Sequence, residues 1–217
     1  MSEFQLPINQ IIQGDCLEVM RGWPDKCVDL IVTDPPYGIG YSTSRGFASW
    51  DGRIGGDDTT DVRNAGLVEC IRLCRGPIFC FGSWKIKPPN GTHTTIVWDK
   101  GAASGMGDLS IPFKQSFELI HIIGYGDWVG KRTEGVLHHN IVTWESNGRS
   151  HPMQKPESLI RDLISRVNAE TILDPFAGSG TTLVAAKQLG RKYIGIEISE
   201  KYVAICKERL KQEQLQL

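Results

Sequence analysis

No stretch of this 217-residue chain approaches the roughly 18 consecutive apolar residues that a membrane-spanning helix needs. Neither sign of charge is in surplus: 24 Lys and Arg stand against 25 Asp and Glu, a formal net charge of -1. A protein that coats a polyanion through bulk charge would be strongly basic, so a nucleic-acid partner must be met by a local patch. The opening residues, Met1 to Pro7, lack the basic-then-apolar pattern of a secretory signal, and a cytoplasmic location is expected. No Cys-x-x-Cys pair occurs. The six cysteines (16, 27, 70, 74, 80 and 206) lie mostly in apolar stretches and read as reduced thiols. Cys70 and Cys74 sit one helical turn apart without an evident fourth ligand, so no metal is expected. What remains is ordinary globular composition, 40% hydrophobic and 23% charged. The length suits one domain with a core of its own.

Apolar periodicity alternates strands with helices. Strands are expected at 10–13, 28–33, 77–81, 94–98, 117–123, 171–173 and 193–196. Helices are expected from 17, over 62–74, from Pro156 to about 167, over 181–189 and from Ser199 to about 212. Val28 to Thr33 is nearly continuous in apolar residues, as a central strand buried on both faces would be. Such alternation argues for an α/β fold, a parallel sheet with helices on both faces. Two segments interrupt it. Residues 38–60 hold six glycines and three serines without periodicity, and 124–150 is irregular and carries Lys131, Arg132 and Arg149. A single domain with two insertions is the simplest account.

Two motifs carry chemistry. Asp34-Pro35-Pro36-Tyr37 follows the buried strand directly. In open α/β sheets the ligand crevice lies at the carboxyl ends of strands, so this turn sits where ligands bind. Two prolines stiffen it and remove backbone donors. They leave the Asp34 carboxylate and a main-chain carbonyl as paired acceptors beside an aromatic ring, which suits a planar group bearing an amine. The second motif, Asp174-Pro175-Phe176-Ala177-Gly178-Ser179-Gly180-Thr181, is a strand end, a glycine turn and a helix start. Glu197 closes the next strand, where an acid can hold ribose hydroxyls. A dinucleotide fingerprint would need a third glycine at 183, which is Leu, and no Gly-Lys-Ser/Thr follows. A nucleoside without a pyrophosphate fits best.

With His151-Pro152-Met153-Gln154-Lys155-Pro156 between them, these motifs resemble, in order and type, the β group of amino-methylating DNA methyltransferases. The likeness runs from Gly14-Asp15 to Arg209-Leu210. It implies a Rossmann-like S-adenosylmethionine-dependent methyltransferase fold: a mostly parallel seven-stranded sheet, helices on both faces, the motif order circularly permuted. The first strand would then neighbour the strand ending at Glu197. Asp15, with Cys16 after it, would contact the adenine of the cofactor and Glu197 its ribose. Asp174, Phe176, Ala177, Gly178, Gly180 and Thr181 would form the cofactor turn, with Gln154 and Lys155 by its methionine end. Asp34, Pro35, Pro36 and Tyr37 would serve the target amine of a base flipped from double-stranded DNA and stacked on Tyr37.

The same likeness makes loop 38–60, with Tyr41, Arg45 and Trp50, a cover over the flipped base. It makes 124–150, with Lys131, Arg132 and Arg149, the target-recognition segment. Aspartate at the head of the first motif leans toward N6 of adenine. N4 of cytosine is the alternative, and a catalytically weak DNA-binding relative is a third reading. A homodimer and a cognate restriction enzyme are further partners the family suggests.

Overall fold

The computed structural model describes residues 4–37, 59–101, 110, 112–142 and 154–212. In chain order its elements are β1 (Gln10–Gln13), α1 (Cys16–Arg21), β2 (Leu30–Thr33), α2 (Asp61–Leu73), β3 (Ile78–Gly82), β4 (Thr92–Asp99) and β5 (Phe117–Ile123). They continue as β6 (Val136–His138), α3 (Glu157–Ser165), β7 (Thr171–Asp174), α4 (Thr181–Gln188), β8 (Lys192–Glu197) and α5 (Glu200–Gln212). All eight strands form one sheet in the order β1-β8-β7-β2-β3-β5-β4-β6. The count corrects the seven expected. The extra strand is β6, a three-residue edge segment inside the 124–150 stretch, paired parallel to β4.

Side-chain alternation divides the core into two layers. Leu30 and Val32 point to one face of β2, where they join Leu159, Ile160, Leu163 and Ile164 of α3, Leu183 to Ala186 of α4, and Cys206 and Leu210 of α5. Ile31 points to the other, with Met20 of α1 and Leu67, Cys70 and Leu73 of α2. A strand covered on both sides has no polar face to spare, which is why all four residues of β2 are buried. The stripe on α3 follows from its apolar spacing, while α4 is buried along Thr181–Ala186, its short side chains admitting close approach to sheet and neighbouring helices. Asp15 starts α1 as its N-cap, accepting from the backbone N–H groups of Leu17 (2.8 Å) and Glu18 (3.1 Å). Among the described residues no helix is long and apolar enough to cross a membrane.

Two features of the topology position the site. From β2 the chain passes through α2 to β3; from β7 it passes through α4 to β8, on the opposite side. Since β7 and β2 are hydrogen-bonded neighbours, a crevice opens at their carboxyl ends, and both motif turns leave from it. As the resemblance implied, β1 lies beside β8, with Gln13 opposite Glu197. The second feature is the reversal of β5, antiparallel to both β3 and β4. Phe117, its first residue, lies beside Asp99 at the crevice edge, while Ile123, its last, lies beside Ile78 and Thr92 at the far edge.

Candidate active site

Asp34 leaves β2 into a turn that Pro35 and Pro36 hold without backbone donors. Both of its carboxylate oxygens are engaged. The Tyr37 hydroxyl donates to Oδ1 at 2.5 Å, and Lys155 Nζ lies 2.6 Å from Oδ2. Burial, and next the carboxylates of Asp34 and Glu118, push the Tyr37 phenol well above its usual range, so it remains a donor.

Lys155 is the centre of the polar cluster. Only 7% of it is exposed, and its ammonium also pairs with Glu118 Oε2 at 3.0 Å. It lies 4.9 Å from the Phe81 ring centroid and 6.0 Å from that of Tyr37, within cation–π range. Burial opposes its charge, yet Asp34 and then Glu118 outweigh the burial and lift its pKa above that of an ordinary lysine. Glu118 in turn takes Lys100 Nζ on Oε1 at 2.5 Å. Burial works against its ionised form too, but Lys155 first and Lys100 second hold its carboxyl below the usual glutamate range. A line of alternating charges, Lys100–Glu118–Lys155–Asp34, thus runs in from β4 to the crevice and ends on the Tyr37 hydroxyl.

The glycine turn lies beside it. Asp174, at the end of β7, is buried and accepts the Phe176 N–H on Oδ1 at 3.1 Å. Desolvation dominates its environment and raises its pKa to about 7, with the Thr182 hydroxyl and the Phe176 N–H opposing the shift. Glu197 Oε2 accepts the Gly178 N–H and its Oε1 the Ser199 N–H, both at 2.8 Å. Gly178 (φ +51) has open space where a side chain would be, so its backbone is accessible to a ligand. Gly180 (φ +83) is pressed against α5, where an added Cβ would lie 2.2 Å from Cys206 Sγ. Phe176 packs over Gly66 of α2, anchoring the turn from one side. Arg209 anchors it from the other, through bonds to the Ser179 carbonyl (2.7 Å) and Thr181 Oγ1 (3.3 Å) and an ion pair with Glu157 (2.6 Å).

The donor set suits an adenosyl ligand carrying positive charge. Asp15, Asp34, Asp174 and Glu197 gather around the crevice, and no cationic side chain follows the glycine turn to meet a phosphate chain. Asp15 arrives beside Glu197 through the β1–β8 pairing, although its Oδ1 already caps α1. Cys16 and Ala177 are buried next to these residues, and desolvation followed by the Asp15 charge raises the Cys16 thiol to about 11. Gln154 is half-buried immediately before Lys155.

The fold brings together Asp15, Asp34, Tyr37, Lys155, Asp174, Phe176, Gly178, Gly180 and Glu197. It does not bring Lys131 and Arg132 to them. Those two are exposed between Val129 and Thr133, both hydrogen-bonded to Arg166 after α3, at the edge of the sheet away from the crevice. Tyr41, Arg45, Trp50, Arg149 and His151 lie outside the described residues. Three contributors escaped the sequence reading: Glu118, Lys100 and Arg209. Glu118 had a detectable signal, the one carboxylate in Phe117 to Ile123, a run that is apolar apart from it and His121. Trp84 and Lys85 follow β3, next to the strand that leads into the Asp34 turn. Trp84 is exposed, and Lys85 Nζ stands 5.8 Å from its ring centroid.

An open sheet wound both ways from β7 and β2, with a glycine turn that lacks a phosphate-binding lysine, belongs to the Rossmann-like methyltransferase class. Comparison with known proteins narrows it. A family model described as DNA methylase matches residues 82–208. A candidate methylase of Escherichia coli (strain K12), YubD, is 31% identical over 94% of this chain and 90% of its own length. The type II methyltransferase M.HinfI of Haemophilus influenzae is 29% identical over 94% of this chain and 69% of its length. The chain belongs to the N6-adenine/N4-cytosine DNA methyltransferase family.

Two solved structures share the fold at lower identity. The complex of M1.HpyAVI with S-adenosylmethionine has a TM-score of 0.66 at 22% identity, covering 92% of this chain and 98% of that one. The cytosine-N4-specific PvuII DNA methyltransferase has a TM-score of 0.68 at 17% identity, covering 92% and 85%.

Proposed function

We propose that this chain is a site-specific DNA methyltransferase that moves the methyl group of S-adenosylmethionine onto the exocyclic N6 of adenine in double-stranded DNA. The observation that carries this reading is Asp34: a carboxylate at the switch point of the sheet, held on both oxygens, with the cofactor-type turn beside it. Asp15, Phe176, Gly178, Gly180 and Glu197 are the residues that would hold S-adenosylmethionine. Bound there, it supplies a methyl group on a sulfonium, an electrophile that needs no acid catalyst.

The difficulty lies in the acceptor, because the lone pair of a base amine is delocalised into its ring. Asp34 answers it. A carboxylate oxygen accepts more than one hydrogen bond, so Asp34 can take an amine N–H while Tyr37 and Lys155 remain bound. The Pro35 carbonyl takes the other N–H. Two acceptors on one amine favour a pyramidal, nucleophilic nitrogen. The tyrosyl and lysyl donors fix the acceptor where the charge develops, and positioning and electrostatic preorganisation then supply much of the rate. Asp34 is also the carboxylate placed to take the proton that the methylated amine releases. Inside a duplex the amine is out of reach, so the base must leave the stack to meet Asp34.

Aspartate at position 34 supports adenine over cytosine, as the family resemblance implies. The test is incubation with labelled S-adenosylmethionine and mixed-sequence unmethylated DNA, followed by digestion to nucleosides and mass spectrometry. N6-methyladenine is the expected product. N4-methylcytosine would reassign the base, and no methylated nucleoside from protein that binds the cofactor would overturn the reading.

A further inference from the structure

Nothing in the methyl-transfer scheme calls for Glu118. Yet a carboxylate stands on β5, its side chain 13% exposed, and among the described residues the charges paired with it are Lys155 and Lys100. Burying a charge this far from water is costly, and evolution could have ended the polar cluster at the Asp34–Lys155 pair. The geometry shows what the extra carboxylate changes. With Asp34 alone for company, the Lys155 ammonium would sit wholly on Oδ2, and a full positive charge beside the reacting amine would oppose the positive charge that grows on nitrogen as it takes the methyl group. Glu118, 3.0 Å from the same ammonium on its other side, divides that charge and sets where the lysine stands.

We propose that Glu118 is a positioning residue for methyl transfer, sharing Lys155 with Asp34 so that the Asp34 carboxylate stays available to the target amine. The inference rests on the methyltransferase reading above. Lys100, 2.5 Å from the other oxygen of Glu118, competes with Lys155 for the same carboxylate charge. The titratable and charged groups facing Lys155 among the described residues are Asp34 and Tyr37 from the turn after β2, and Glu118 from β5, with Lys100 behind it.

The experiment compares wild type, Glu118→Gln, Glu118→Asp and Lys100→Met, each measured for cofactor Kd, DNA KM and the pH dependence of kcat. Glu118→Gln is expected to keep cofactor Kd and DNA KM within about threefold and to lose at least about tenfold in kcat, less than the roughly hundredfold at which the range for a group that itself transfers the proton begins. Glu118→Asp recovers part of that loss, because the charge is restored one methylene short. The acid limb of kcat separates electrostatics from packing. Removing the negative charge at 118 leaves Asp34 with the whole of the Lys155 charge, and the limb moves down by about one pH unit. Removing the positive charge at 100 moves it up. A residue with a merely structural role would leave the limb in place in both variants.

An unshifted acid limb together with wild-type kcat in Glu118→Gln overturns the proposal while leaving the methyltransferase reading intact. Should Glu118→Gln fail to fold, Lys100→Met decides alone, and a limb that stays put or moves down refutes the sharing. Wild type that methylates no base amine overturns the reading and this inference with it.

Discussion

Replacing Lys155 with methionine tests the centre of the site. The thioether fills much of the lysine stem's volume and adds no charge. The substitution leaves Asp34 Oδ2 and Glu118 Oε2, which flanked the ammonium at 2.6 and 3.0 Å, without the cation between them. Removing one partner of a buried ion pair costs about 3–5 kcal/mol. For a protein of this size that corresponds to a fall in Tm of roughly 6–20 °C.

The sign of the pH dependence follows from the same geometry. Two facing carboxylates cannot both ionise cheaply, so one keeps a proton to higher pH in the folded variant than in its unfolded chain. The folded state then binds more protons, and the variant loses stability as pH rises from about 4 through that raised value. Urea unfolding at pH 5.5 and pH 8 should therefore give a larger deficit at pH 8. The variant should also bind S-adenosylmethionine within a few-fold of wild type, since the lysine serves Asp34, and should lose most of its turnover. A deficit below about 1 kcal/mol, equal at the two pH values, would show that the ammonium does not bridge these carboxylates.

Asp34→Ala should retain cofactor binding by calorimetry and lose at least about a thousandfold in turnover, the upper part of the range for a residue that both orients and accepts a proton; a matching loss of cofactor affinity would show that Asp34 serves the cofactor instead. Gly180→Ala should destabilise by several kcal/mol in urea titration, because its Cβ meets Cys206 Sγ at 2.2 Å in a left-handed backbone that alanine resists; a near-neutral variant would contradict that packing. Asp174→Asn should be more stable than wild type at pH 8, with the difference vanishing toward pH 4. The folded pKa near 7 lies above the ordinary aspartate value, so the native carboxyl binds a proton the unfolded chain has released, and ionising it on the way to pH 8 costs stability that asparagine never loses. Thermal melts across that range check the sign.

The sequence alone determined most of what depends on local physics. Strand and helix positions follow from apolar periodicity, and β5 falls on 117–123 as its pattern predicts. The two turns follow from proline and glycine chemistry, and the family follows from three motifs in order. The spacing of Leu159, Ile160, Leu163 and Ile164 already marks which side of α3 faces the sheet. Edge strand β6 was illegible because three residues with a single buried side chain, Leu137, carry no period to read.

Tertiary structure decided three things that no local pattern holds. An apolar run has no arrow, so the reversal of β5 could not be read from its composition. That reversal places Glu118 at the crevice edge and sends the segment carrying Lys131 and Arg132 out at the other edge. A buried charge declares that it needs a partner but not which one. Glu118 pairs with Lys155 as well as with Lys100, and Lys155 pairs in turn with Asp34. The two pairings of Lys155 join parts of the chain that only the sheet order sets side by side, because Coulomb attraction acts through space while the sequence records only what neighbours along the chain.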